Sequence, residues 1–125
     1  MAHVTALAVD EPVRVDARRV GDIVNELGED AAHNVIGIAL EQLAAAMQAV
    51  DDAILSGDVA AVVVHSDRMA RLSWQVGLTS LSGVAVDLGC CAEKRDLASL
   101  AAVRARLMRV GNRSLTEIWD RCDPP

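Results

Sequence analysis

The sequence predicts an all-α protein, an antiparallel up-down four-helix bundle with a short extra helix at its N-terminal side. Three observations carry that expectation. Apolar residues recur at alternating steps of four and three, the period of one helix face. The segments that keep this period are joined by short links bearing Gly and Asp, which fold consecutive helices back as neighbours. And 52% of the 125 residues are apolar while Phe and Tyr are absent, so the core must be built of Ala, Val, Leu, Ile and Met. Only Val13–Val15 alternates at period two, too briefly for a strand.

The elements follow in order. Residues 1–14 read as an irregular, flexible arm, because Pro12 and mixed polarity give no helical stripe. The bundle occupies residues 15–120. A first helix is expected from Asp16, a good N-cap, to Leu27, with Gly28 as its stop. The second runs from about Asp30 to Ser56, with Ile36, Leu40, Leu43, Met47, Val50 and Ile54 in one stripe. Gly57-Asp58 then provides a stop and a new cap. The third helix runs to Val76 with Val62, His65, Met69, Leu72 and Val76 in its stripe, and Gly77 ends it. The fourth, Thr79 to Lys94, carries Leu81, Ala85, Leu88 and Ala92, with Val84 and Cys91 widening the face. Asp96 caps the fifth, whose stripe is Leu100, Val103, Leu107 and Val110. Gly111 is expected to end it. Ser114-Leu115-Thr116-Glu117 resembles a capping box for a short last turn holding Trp119. Residues 121–125 are expected to fray.

Composition excludes several function classes. The net charge is −6, which argues against nucleic acid or an anionic membrane as partner, since both need clustered cations. Arg14, Arg18 and Arg19, and later Arg104, Arg106 and Arg109, read as solvated helix faces. No run of about 18 apolar residues offers a membrane span. The N-terminal stretch lacks a basic leader, and with three Cys the expectation is a cytoplasmic protein with reduced thiols. Cys90 and Cys91, adjacent on a helix, diverge and are poorly placed to bridge each other. No phosphate-cradling Gly loop, Cys-x-x-Cys or Glu-x-x-His pair occurs, so neither a cofactor nor a metal is expected. A site built from His33, His65 and Glu41 would lack the paired bundle motif. His33 reads as a packing residue at a helix end, and His3 belongs to the arm.

The segment from Asp58 through Val76-Gly77 resembles the phospho-acceptor helix of bacterial histidine-phosphotransfer (HPt) domains. That family carries His-x-Leu-Lys-Gly, then an apolar-Gly pair closing the helix. The likeness extends over residues 16–119. It includes Leu27-Gly28-Glu29-Asp30 before the long helix and the Gly57-Asp58 turn ahead of Asp67. By the family's spacing Asp67 stands where the reactive His belongs, Met69 at the Leu, Ala70 at the Lys and Arg71 at the Gly. The resemblance implies a four-helix bundle that docks a response-regulator receiver domain or a sensor kinase in a two-component phosphorelay. It also implies that the usual chemistry is lost, because a carboxylate cannot form phosphohistidine. The Asp67 charge would instead repel a phosphoryl group, and Arg71 restores a cation with added bulk.

His65 is the one nearby imidazole. It lies about 200° from Asp67 around the helix, on the apolar stripe, and is expected to be buried or half-buried with a hydrogen bond inside the bundle. Phosphorylation there would need a shifted register. Opposite the stripe, Val63, Asp67, Ala70, Arg71 and Trp74 recur at helical spacing. Apolar Val63 and Trp74 on that side mark a contact surface, unless Trp74 packs against the N-terminal helix or arm. Three readings stay open: a pseudo-phosphotransfer signalling protein docking through the face around Asp67, an active phosphocarrier using His65, and a non-signalling helical interaction module, such as a dimerising bundle or an anti-regulator. An enzyme with its own turnover is not expected, as no cleft of converging polar groups is legible.

Overall fold

The computed structural model of the protein describes residues 12–122. The arm expected over residues 1–14 thus lies outside the described residues up to position 11, and the frayed tail does so from position 123. The described residues are all-helical apart from short links. The helices are α1 (Ala17–Leu27), α2 (Glu29–Ser56), α3 (Val59–Gln75), α4 (Thr79–Glu93) and α5 (Leu97–Cys122). None is long and apolar enough to cross a membrane.

Local chemistry sets each boundary. The Asp16 carboxylate accepts hydrogen bonds from the N–H groups of Arg18 and Arg19 at 3.1 and 3.3 Å, satisfying donors that the first turn of α1 leaves unpaired. Gly28 alone separates α1 from α2, at φ +85°, and its N–H reaches the Val24 carbonyl at 2.8 Å. Glu29 and Asp30 lie in the first turn of α2, where the helix dipole favours negative charge. Asp58 caps α3 by accepting from the Ala61 N–H at 3.1 Å.

α2 packs on α3, α3 on α4, α4 on α5, and α5 back on α2, while α1 lies against α2. The enclosed core is aliphatic as composition requires: Ile36, Leu43 and Val50 meet Val62, Met69, Leu81, Leu88, Leu107, Val110 and Ile118, all buried. Each such side chain contributes about 1.5–3 kcal/mol of transfer free energy. Asp51 of α2 and Arg104 of α5 form an ion pair across one seam, Asp51 largely shielded from solvent.

One boundary departs from expectation. Gly111 does not stop the last helix; α5 continues through it to Cys122. Gly111 is buried, and a Cβ there would stand 2.5 Å from Met47 Cε and 2.8 Å from Met47 Sδ. The glycine is a point of close approach between α5 and α2, where absence of a side chain matters more than helix propensity. Ser114 accordingly is no cap. It is buried in mid-helix. The short last turn is instead the end of α5, where Trp119 meets the His33 ring of α2 at 4.8 Å and 47°.

The segment Val13–Val15 forms no strand. Its valines pack on the core, and the Arg14 N–H donates to Ser80 Oγ at 2.7 Å while Thr79 Oγ1 donates to the Arg14 carbonyl at 3.4 Å. The Asp16 N–H continues this seam to the Gly77 carbonyl at 2.7 Å, and Arg19 Nε donates to the Gln75 carbonyl at 2.9 Å. The chain entering α1 is therefore stitched to the turn between α3 and α4. Gly77 is required there twice over. Its φ is +83°, and a Cβ would stand 2.9 Å from the Asp16 carbonyl oxygen.

Gly77→Ala is therefore expected to destabilise the fold by more than about 1 kcal/mol, read as a lowered denaturant midpoint at unchanged m-value. A second expectation concerns pH. Asp96 accepts from the Ser99 hydroxyl at 2.7 Å and the Ser99 N–H at 3.1 Å. These bonds hold its carboxyl below the ordinary 3.8. A lowered folded-state pKa adds stability that is complete above the unfolded value and is lost as pH falls through the folded one. The stability difference between wild type and Asp96→Asn, which keeps a cap without the charge, should shrink on acidification below 3.8 in denaturation curves taken across that range.

Candidate functional site

The residues around Asp67 border a groove of about 450 Å³ between α3 and α4. Its floor is made of small side chains. Ser66 and Ala70 of α3 face Ala85 and Gly89 of α4. A Cβ on Gly89 would lie 3.6 Å from Ser66 Cβ, and Ser82 Oγ donates to the Ala70 carbonyl at 3.0 Å. Ser66 thus lies level with Gly89, and Ser82 reaches the Ala70 carbonyl one turn further along, so the two helices meet in reverse order. Small residues at these points let the backbones approach closely. The Ser66 and Ser73 hydroxyls are buried without a hydrogen-bond partner among the described residues.

The rim is charged and the shoulders are apolar. Asp67 pairs with Arg71 one turn on, Oδ2 to Nη2 at 3.1 Å, with side chains 65% and 70% exposed. Glu93 closes the other end, and Cys90 is exposed beside it. Val64 and Val86, one from each helix, stand 63% and 53% exposed on either side. Trp74 continues the same surface beyond Arg71 and is 66% exposed, so it does not pack away against α1.

The structure redistributes the expected docking face. Asp67, Arg71 and Trp74 are exposed together, whereas Ala70 is buried in the core and Val63 is half-buried against it. The reason is that α3 has neighbours on two sides. The stripe Val62, Met69 and Val76 is buried, and a second set of small residues, Ser66, Ala70 and Ser73, is buried as well. A face read as the solvated opposite of one stripe is in fact partly covered by α4. The α4 contributors Val86, Gly89, Cys90 and Glu93 were not found by sequence reasoning. The signal for them was the spacing of small residues, Ser82, Ala85 and Gly89 on α4 against Ser66, Ala70 and Ser73 on α3, both in steps of three and four.

His65 is half-buried, as its place on the stripe implies, but the expected hydrogen bond is missing among the described residues. Its stripe neighbours Val62, Met69 and Leu72 carry no hydrogen-bonding group stronger than a thioether. It does not line the groove that holds Asp67. His33 is likewise half-buried, committed to its ring contact with Trp119. Cys91 is half-buried, and neither it nor Cys90 is in a disulfide. Among the described residues no three His, Cys, Asp or Glu side chains gather where a metal ion could be held. The arrangement is a shallow trough with a small-residue floor, apolar shoulders and one ion pair at its edge.

No family model, curated protein or solved structure matches the chain.

Trp74→Ala is expected to change folding stability by no more than about 0.5 kcal/mol. Met69→Ala, on the buried side of the same helix, should cost about 2–5 kcal/mol. Urea denaturation of the two variants separates the surface residue from the core residue.

Proposed function

We propose that this chain is a pseudo-phosphotransfer signalling protein of HPt type, a cytoplasmic, bacterial adaptor in a two-component phosphorelay. Its helices α2 to α5 form an antiparallel up-down four-helix bundle with α1 laid against it. The closed ring of helix contacts and the short connections support that arrangement. The partner is a receiver domain or sensor kinase that docks on the α3–α4 face around Asp67. The protein transfers no phosphoryl group through the family's usual position, and it works as a competitor or phosphate-independent regulator.

One observation carries this reading. Where the resemblance expects a solvent-facing acceptor at mid-helix, the chain has a solvent-facing Asp67 held by Arg71 beside an open groove. A surface in that place fits docking, while its charge does not fit phosphoryl acceptance. A carboxylate and a phosphoryl group repel. No observation favours His65 as acceptor, since it is half-buried and lies outside the groove.

Purified protein incubated with a panel of phosphorylated receiver domains should bind a subset without acquiring acid-labile phosphate. Trp74→Ala should weaken that binding at least about tenfold, the loss typical of an exposed aromatic anchor. Phosphate on His65, abolished in His65→Ala, would replace the adaptor reading with an active carrier. Absence of binding to any receiver or kinase, with the fold intact, would reject the signalling assignment.

A further inference from the structure

The same face is self-complementary. Arg71 and Glu93 lie at opposite ends of the groove. Glu93 is one turn past Gly89, and Arg71 is five residues past Ser66 in the other direction. With Ser66 and Gly89 level, the two charges are about 13 Å apart along the helices. Between them stand exposed Val64 and Val86, one on each helix, over a floor without large side chains. A two-fold axis lying in this face, midway between the charges, brings Arg71 of each copy opposite Glu93 of the other. The same axis passes near Val64 and Val86, so each valine meets its counterpart. Asp67 stays beside Arg71 of its own chain and keeps that guanidinium pointed along the rim.

We infer that the α3–α4 face is a homodimer interface, with a second copy of this chain as its occupant. Apolar shoulders at the centre, opposite charges at the two ends and symmetry about the midpoint are what an isologous contact needs. A basic or an acidic partner helix would be matched at only one end of the trough.

The dimensions set the strength. α3 has 17 residues and is therefore about 25 Å long. Two helices with axes about 9 Å apart present a face about 20 Å wide. The face offers about 500 Å² per copy, below the roughly 800 Å² of a standard stable interface. The dimer is therefore a weak one, weakened further by salt, because both charged ends are solvent-exposed. Self-association stands independently of receiver docking. Where both hold, they compete for one face, and a partner binds only the monomer.

Sedimentation velocity of the intact chain from about 1 μM to about 1 mM tests the inference. Wild type should pass from monomer to dimer. Arg71→Glu alone and Glu93→Arg alone should each raise the dissociation constant at least about tenfold. An equimolar mixture of the two single variants should recover dimer, because each mixed contact again joins opposite charges. The chain carrying both reversals should recover it as well. Helical circular dichroism of every variant checks that the fold is kept. A wild type that stays monomeric throughout overturns the inference. So does a dimer that both single reversals leave unchanged, since its interface lies elsewhere. Receiver binding by wild type, measured at about 1 μM where the monomer prevails, is a separate readout. Its loss would reject the signalling assignment without touching the dimer, and a monomeric wild type that binds receivers would do the reverse.

Discussion

The close approach of α3 to α4 is the constraint on which the rest of the functional surface depends. Ser66, Ala70 and Ser73 on one helix and Ser82, Ala85 and Gly89 on the other place only small side chains along this seam. Two hydroxyls, on Ser66 and Ser73, are buried there without partners. An unsatisfied buried hydroxyl costs on the order of 1–3 kcal/mol. Alanine would fill the same space without that cost. The seam is therefore set by the small size of these side chains rather than by hydrogen bonding across it, and that size lets the helices come near. That nearness turns the junction into a shallow trough instead of a ridge, and it lifts Val64 and Val86 out of the core onto the trough's shoulders.

The clamp at the far end of the pair serves the same geometry. Gly77 admits the chain leading into α1 at a distance no side chain would permit, and the bonds from Asp16 and Arg19 fix the turn between α3 and α4. α1 has a single buried residue, Val20, so apolar burial alone holds it weakly. Its backbone and guanidinium bonds to the turn supply the rest. The consequence is an end of the α3–α4 pair tied down by hydrogen bonds, beside which Trp74 is exposed.

Most of the fold was legible in the sequence, for identifiable reasons. Asp16, Gly28, Gly57, Asp58 and Asp96 mark helix ends through local chemistry, which needs no tertiary knowledge. The stripes of α2, α3, α4 and α5 are one-dimensional patterns, and they too survive translation into three dimensions. Gly111 was misread because glycine has two uses, and only the position of Met47 on another helix decides between them. The candidate site was half legible. Asp67, Arg71 and Trp74 face solvent together, but Ala70 and Val63 turn inward because α3 is covered from two sides. Periodicity finds the first buried side readily, since large apolar residues mark it. The second is marked by small residues, whose signal is the absence of bulk, and it becomes readable only when a matching set is sought on another helix.

Energetics then separates the two roles that an ion pair such as Asp67–Arg71 could have. An exposed pair at this spacing stabilises a helix by only about 0.3–0.5 kcal/mol. Its removal would hardly be felt by a core that buries so many aliphatic side chains. Its stronger effect is on geometry. The pair holds a cation on the rim of the groove and offsets the charge that a lone carboxylate would present to an incoming surface. At the rim of a dimer the same pair would stay solvent-exposed, so its attraction to Glu93 of a second copy orients the approach more than it strengthens the contact. A contact that contributes little to the monomer can therefore select what docks on it, which is the property a recognition surface requires and a structural surface does not.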